Sequence, residues 1–188
     1  MKLTRLFPAM TLALCIALGA MAEPVPDTRI GTIELEGMQE AVNEALFESP
    51  RGYQLWIDTE RFAYVEPDEG SDIDAFEPIA PDALDGVGLY INYSEQLDYT
   101  LDMAREDVQK VLVENGYTIT EIDAKNLFPD DEAYGFHAIK GDMVVDKYIV
   151  AAKGGAFYLS LEYPLMAAEG FGARLFHMAS TFQPIALQ

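Results

Sequence analysis

Residues 156–163 alternate so regularly that little choice of structure is left to them. Phe157, Leu159, Leu161 and Tyr163 are apolar at every second position, against Tyr158, Ser160 and Glu162. That is the period of a strand with one face on a core. Residues 134–139 and 143–152 are two further strand segments. Lys140-Gly141-Asp142 and Lys153-Gly154-Gly155 supply tight turns between the three, and Pro164 ends the last. The pattern predicts a three-stranded antiparallel meander.

The clearest helix lies upstream, over residues 99–115. Leu97, Leu101, Ala104, Val108, Val111 and Leu112 step by threes and fours, while Asp102, Arg105, Glu106, Gln109 and Lys110 take the other side. Asp98 or Thr100 can cap its start, and Gly116 stands where a left-handed C-terminal residue is needed. A second helix is predicted over residues 167–179, with Ala168, Phe171, Leu175 and Met178 as its buried stripe. Gly170 and Gly172 weaken it by roughly 1 kcal/mol each, so their use is close approach of backbone to sheet.

Earlier strands are shorter. Tyr53, Leu55 and Ile57 alternate with Gln54, Trp56 and Asp58, and Val87, Leu89, Ile91 and Tyr93 form another stripe. Residues 30–35, 62–65 and 72–79 are weaker strand segments, the last closed by Pro78 and Pro81. Residues 38–48 are ambiguous, because Met38, Val42, Ala45 and Leu46 have helical spacing in a stretch cut short at Ser49-Pro50. Ser49-Pro50-Arg51-Gly52 is a turn and predicts a hairpin into Tyr53. The sum is an α+β domain: an antiparallel sheet with a mid-chain and a C-terminal helix. Its expected core comprises Leu55, Ile57, Leu89, Ile91, Val108, Leu112, Leu159, Leu161, Phe171 and Leu175.

The N-terminus reads as a secretory signal over residues 1–22. Lys2 and Arg5 precede an apolar run, and Ala20-Met21-Ala22 fits the small-x-small cleavage rule, leaving Glu23 first. Residues 23–29 read as a flexible leader and 30–188 as one domain. Cys15, the only cysteine, raises a lipoprotein anchor as an alternative, but Leu14 occupies a position that wants a small residue. After cleavage no thiol remains for disulfides, zinc or catalysis. The signal carries two of the 12 basic residues and none of the 32 acidic ones, so cleavage leaves a net charge of −22. Such a surface repels nucleic acid and anionic lipid heads and favours a basic protein or ligand, divalent ions or plain solubility. No later segment is long enough for stable membrane insertion.

This order of elements resembles a known family. Gly52-Tyr53-Gln54-Leu55-Trp56-Ile57-Asp58 with Arg61-Phe62 looks like the opening of PsbP-like domains, and the mid-chain helix, the meander and Ser180-Thr181-Phe182 resemble the rest. The match spans about residues 33–182. The resemblance implies an α/β/α sandwich of the kind shared by extrinsic photosystem II subunits, a Ran-binding nuclear import factor and exported bacterial proteins of unknown role. It carries no catalytic residue across. The cone-shaped α+β fold of nuclear transport factor 2 is the runner-up, but wants its long helices earlier.

Three sets of residues invite chemistry. Trp56, Tyr90, Tyr148 and Tyr158 lie opposite the best apolar stripes and, with His137, would form a ligand or partner face if the sheet is open on one side. If both faces are covered they are a second core layer. Glu66, Asp68, Glu69, Asp72 and Asp74 crowd one turn and offer oxygens to calcium, without the spacing of an EF-hand loop. Pro129-Asp130-Asp131-Glu132 is a lesser acidic turn. His137 and His177 are the two histidines available to a serine hydrolase, but no Gly-x-Ser-x-Gly elbow accompanies them. The expected function is therefore an exported, acidic, noncatalytic binding domain. A calcium-responsive protein and a hydrolase are the alternatives, and no cofactor other than calcium is indicated.

Overall fold

Two antiparallel sheets carry the architecture in a computed structural model that describes residues 27–79, 85–95, 100–129 and 131–185. The signal segment, Pro81, Leu97, Asp98 and Asp130 lie outside the described residues. The smaller sheet opens with β1 (Thr28–Leu35) and β2 (Met38–Ser49). The first strand thus takes in Thr28 and Arg29, which the sequence assigned to a leader. Glu36 and Gly37, at φ 51° and 77°, form the two-residue left-handed turn that sets Leu35 opposite Met38. The helical spacing in residues 38–48 is overridden. The first part, Met38–Ala45, pairs with β1 and the last, Glu44–Ser49, with β3 (Tyr53–Asp58), so each residue of β2 has a neighbouring strand on at least one side, and Pro50 forbids a helix from continuing. The short β11 (Gln183–Pro184) closes this sheet against β3.

The larger sheet has the order β4-β5-β6-β10-β9-β8-β7. Its members are β4 (Phe62–Val65), β5 (Ile73–Pro78), β6 (Gly88–Glu95), β7 (Thr118–Ile122), β8 (Ala133–Lys140), β9 (Met143–Ala152) and β10 (Gly155–Pro164). The predicted meander β8-β9-β10 is present, with Lys140 opposite Met143 and Ala152 opposite Gly155. The edge strand β7 is an addition to the sequence reading. Thr118-Ile119-Thr120-Glu121-Ile122 is too polar and short to announce itself, and pairing with β8 makes it a strand.

Helix α1 (Leu101–Glu114) is capped as expected. Thr100 Oγ1 accepts from the Met103 N–H at 3.2 Å, and Gly116 at φ 82° lets Tyr117 N–H reach the Leu112 carbonyl at 3.0 Å. It packs on one face of the larger sheet over Phe136, Ala138, Val145, Ile149 and Ala156. The second predicted helix is not continuous. A 3-10 turn (Leu165–Ala167) and a π-helical turn (Ala168–Gly172) precede α2 (Ala173–Ser180). Gly172 has the close approach expected of it, since a Cβ there would lie 3.0 Å from the Tyr163 ring, whereas Gly170 meets nothing within 4 Å.

The main core lies on the opposite face of the larger sheet, between it, the smaller sheet and α2. Leu55, Leu89, Ile91, Leu159, Leu161 and Leu175 are fully buried there. Ile57 and Leu112 are buried too, but Val108 and Phe171 are only partly covered, against expectation. Val108 stands at the margin of the α1 contact and Phe171 at the π-helical turn.

Candidate functional site

The acidic side chains that the fold buries, Glu44, Asp58, Asp74 and Asp146, each meet hydrogen-bond partners supplied by other elements of the fold. Asp74, expected among calcium ligands, points inward from β5 and is fully buried. It accepts from Ser49 Oγ at 2.7 Å, Tyr53 OH at 2.6 Å and Tyr64 OH at 3.1 Å, and pairs with the Arg51 guanidinium. Burial first, and the Asp74 carboxylate second, push the Tyr53 phenol well above its ordinary range. Glu66, Asp68, Glu69 and Asp72 remain in the turn, so the fold separates Asp74 from the other four. Among the described residues no three histidine, cysteine or acidic side chains converge as a metal site would require.

A second network joins α2 to the smaller sheet. Arg174 donates to buried Asp58 and to Glu40, both at 2.5 Å, and His177 Nε2 lies 2.5 Å from Glu44, which also takes Arg29 at 2.6 Å. Trp56 belongs to this region. The Arg29 guanidinium sits 4.2 Å from its ring centroid, on a different sheet from the other aromatics of the expected face.

Those aromatics do not share one surface. Tyr148 stands opposite Leu159 across β9 and β10, so it turns into the main core and is 3% exposed. Burial raises its phenol. His137 is on the same side of the larger sheet, with Nδ1 2.7 Å from Asp146. Tyr163 OH donates to that carboxylate at 2.5 Å. Neither imidazole is joined to a serine hydroxyl among the described hydrogen bonds; Ser180 Oγ donates instead to the His177 carbonyl at 2.7 Å. The geometry is that of buried carboxylates held by hydroxyl, guanidinium and imidazole groups, and it does not assemble the serine–histidine–carboxylate set of a hydrolase among the described hydrogen bonds.

Tyr90 and Tyr158 do share a face, the one that carries α1. Tyr90 leans toward the sheet edge, its hydroxyl 3.4 Å from Glu77 and its phenol pushed up to about 12, chiefly by burial. Tyr158 lines a cleft of about 420 Å³ beside the helix. Val108, Val111 and Leu112 of α1 form one wall, Tyr117 an end, and β6, β9 and β10 the floor. Lys147 rises from that floor, mostly covered, with burial lowering its ammonium pKa and the nearby Glu162 carboxylate partly opposing the shift. Sequence reasoning passed over this lysine. The available signal was a cation within Val144-Val145-Asp146-Lys147-Tyr148-Ile149-Val150, a run apolar enough to be covered on both faces.

The arrangement of elements matches a solved structure, that of cyanobacterial PsbP (CyanoP) from Synechocystis sp. PCC 6803, determined in solution. The TM-score is 0.51, over 75% of this chain and 92% of that one. The fold is PsbP-like. At 14% identity the likeness carries the fold alone. No protein-family model and no curated protein matches the chain in sequence. The PsbP-like fold is made here without any helix, among the described residues, long and apolar enough to cross a membrane.

Proposed function

We propose that the chain is an exported, acidic, noncatalytic binding domain whose partner occupies the cleft beside α1. The observation that carries this reading is the incomplete cover of the larger sheet. Helix α1 lies on β7, β8 and β9, and the outer side chains of β6 and β10 beside it line an apolar-walled cleft instead of a core. A cleft of about 420 Å³ falls within the ~300–1,000 Å³ typical of small-molecule sites. The signal sequence supports export, and the layer order of α1, larger sheet, then α2 with the smaller sheet supports the sandwich of PsbP-like domains. The calcium-responsive alternative is weakened, because Asp74 would have to abandon Arg51, Ser49, Tyr53 and Tyr64 to reach an ion.

A photo-crosslinking residue at exposed position 111, on the helix wall, tests the reading in the exporting cell, with exposed position 36 in the β1–β2 turn as control. The expected result is a discrete crosslinked species from position 111 only. A discrete species from position 36 and none from position 111 would overturn it.

A further inference from the structure

We infer that the α1 cleft receives a small amphipathic monocarboxylate, with the Lys147 ammonium holding the carboxylate and the helix wall holding the apolar body. The inference rests on the reading of that cleft as the binding surface. Its distinctive observation is the state of Lys147. Arg29, Arg51, Arg105, Lys110 and Arg174 each have a carboxylate within 4.0 Å; Lys147 has none among the described residues. Other cations without a carboxylate so close, such as Arg61 and Lys153, are exposed and solvated by water. Lys147 is mostly covered and stands on a central strand, opposite Ser160.

Two acidic groups line the cleft with it. Glu162 accepts from Ser160 Oγ at 2.9 Å, and Asp107 enters from α1; the phenols of Tyr117 and Tyr158 complete the titratable groups facing the lysine. Glu162 acts on the ammonium through space, and no carboxylate among the described residues comes within the 4.0 Å of a contact ion pair with it. A mostly desolvated cation without a contact counter-ion is unfavourable, so an incoming carboxylate that supplies one gains more than it would at the surface. Val108, Val111 and Leu112 give the ligand's body an apolar wall next to that charge.

The chain's overall charge sets the ligand's valence. At a net charge of −20 the protein repels anions, and each further charge on a ligand adds to the repulsion. Screening over about 8 Å in physiological salt confines the penalty, whereas the contact with Lys147 is screened little. One carboxylate is therefore tolerated where a polyanion is not.

Isothermal titration of the purified protein with octanoate, octanol and octylammonium tests this, alongside Lys147→Met. Octanoate should bind the native protein, and the substitution should weaken it roughly tenfold to a hundredfold while leaving octanol unchanged. Octylammonium should bind most weakly. Because a bound carboxylate favours the charged form of Lys147, whose pKa burial lowers, octanoate binding should take up protons at alkaline pH below the ordinary lysine value of about 10.4, read from its buffer-dependent heat. That readout needs no variant and stands even if Lys147→Met fails to fold. Equal binding of octanoate and octanol, or no proton uptake anywhere in that range, would overturn the inference. A position-111 crosslink obtained alongside such a failure would leave the cleft reading intact and remove only the carboxylate.

Discussion

Asp74 gathers four side-chain donors around one buried carboxylate, the largest such set among the described residues. The carboxylate is fully buried and accepts from Ser49, Tyr53 and Tyr64 beside the Arg51 guanidinium. Asp74→Ala strands those donors. Tyr53 is itself fully buried and Ser49 nearly so, while Arg51 keeps 22% of its side chain exposed and can rehydrate in part. Removing one partner of a buried ion pair costs about 3–5 kcal/mol, and two stranded hydroxyls keep this case inside that range. Asp74→Asn keeps the shape and one acceptor, and should lose about 1.5–3 kcal/mol. Tyr53→Phe removes a single donor and should lose about 1 kcal/mol. A domain of this size shifts by roughly 2–4 °C per kcal/mol, so Asp74→Ala should melt about 6–20 °C lower. Urea unfolding followed by Trp56 fluorescence gives the free energies, and thermal circular dichroism gives the midpoints. A loss below about 1 kcal/mol for Asp74→Ala would mean that the carboxylate is hydrated, and the buried network would be refuted.

Further expectations concern backbone, pH and processing. Gly155→Ala places a Cβ 2.1 Å from the Ser94 carbonyl oxygen and should destabilise the fold severely, whereas Gly170→Ala meets nothing within 4 Å and should be neutral or stabilising by up to about 1 kcal/mol; urea midpoints of the pair should therefore move apart. Burial raises the phenols of Tyr53, Tyr148 and Tyr163, and brings Tyr90 to about 12. The stability from these neutral phenols is fully present below the unfolded value of about 10 and is lost as pH rises through the higher folded values, so alkaline titration at constant urea should unfold the protein steeply above about pH 10. Lys147, lowered by burial, works in the opposite sense, and one lysine does not offset several phenols. Phenolate absorbance that rises before unfolding and is reduced by Tyr53→Phe, Tyr148→Phe or Tyr163→Phe would contradict the burial of these tyrosines. Mass spectrometry of the exported protein should find Glu23 at its N-terminus, and a lipidated Cys15 would exclude that processing.

The strands and helices that were legible are those whose residues satisfy only one period. Phe157, Leu159, Leu161 and Tyr163 fit a strand and nothing else, and Thr100 and Gly116 mark the ends of α1. Residues 38–48 fit two periods, and only the neighbours β1 and β3 decide between them. The aromatic face failed for a related reason. Alternation tells which side chains of one strand go together, but comparing two strands needs their register. Counting back from the Lys153-Gly154 turn sets Tyr148 opposite Leu159 and so inside the core, a step available from the sequence. Trp56 lies on a separate sheet, which no single-strand pattern reveals. The inward turn of Asp74 depends on Ser49, Arg51 and Tyr53 arriving from another hairpin, and nothing within residues 66–74 signals it.

Amide chemical-shift mapping of the isotopically labelled protein, titrated in parallel with octanoate and with calcium chloride, tests the assignment of the binding surface most directly. Octanoate should move the amides around Val108, Val111, Lys147 and Tyr158 and leave the acidic turn unmoved. Saturable calcium shifts at Glu66, Asp68, Glu69 and Asp72, with no octanoate response in the cleft, would contradict that assignment and favour a cation-responsive protein.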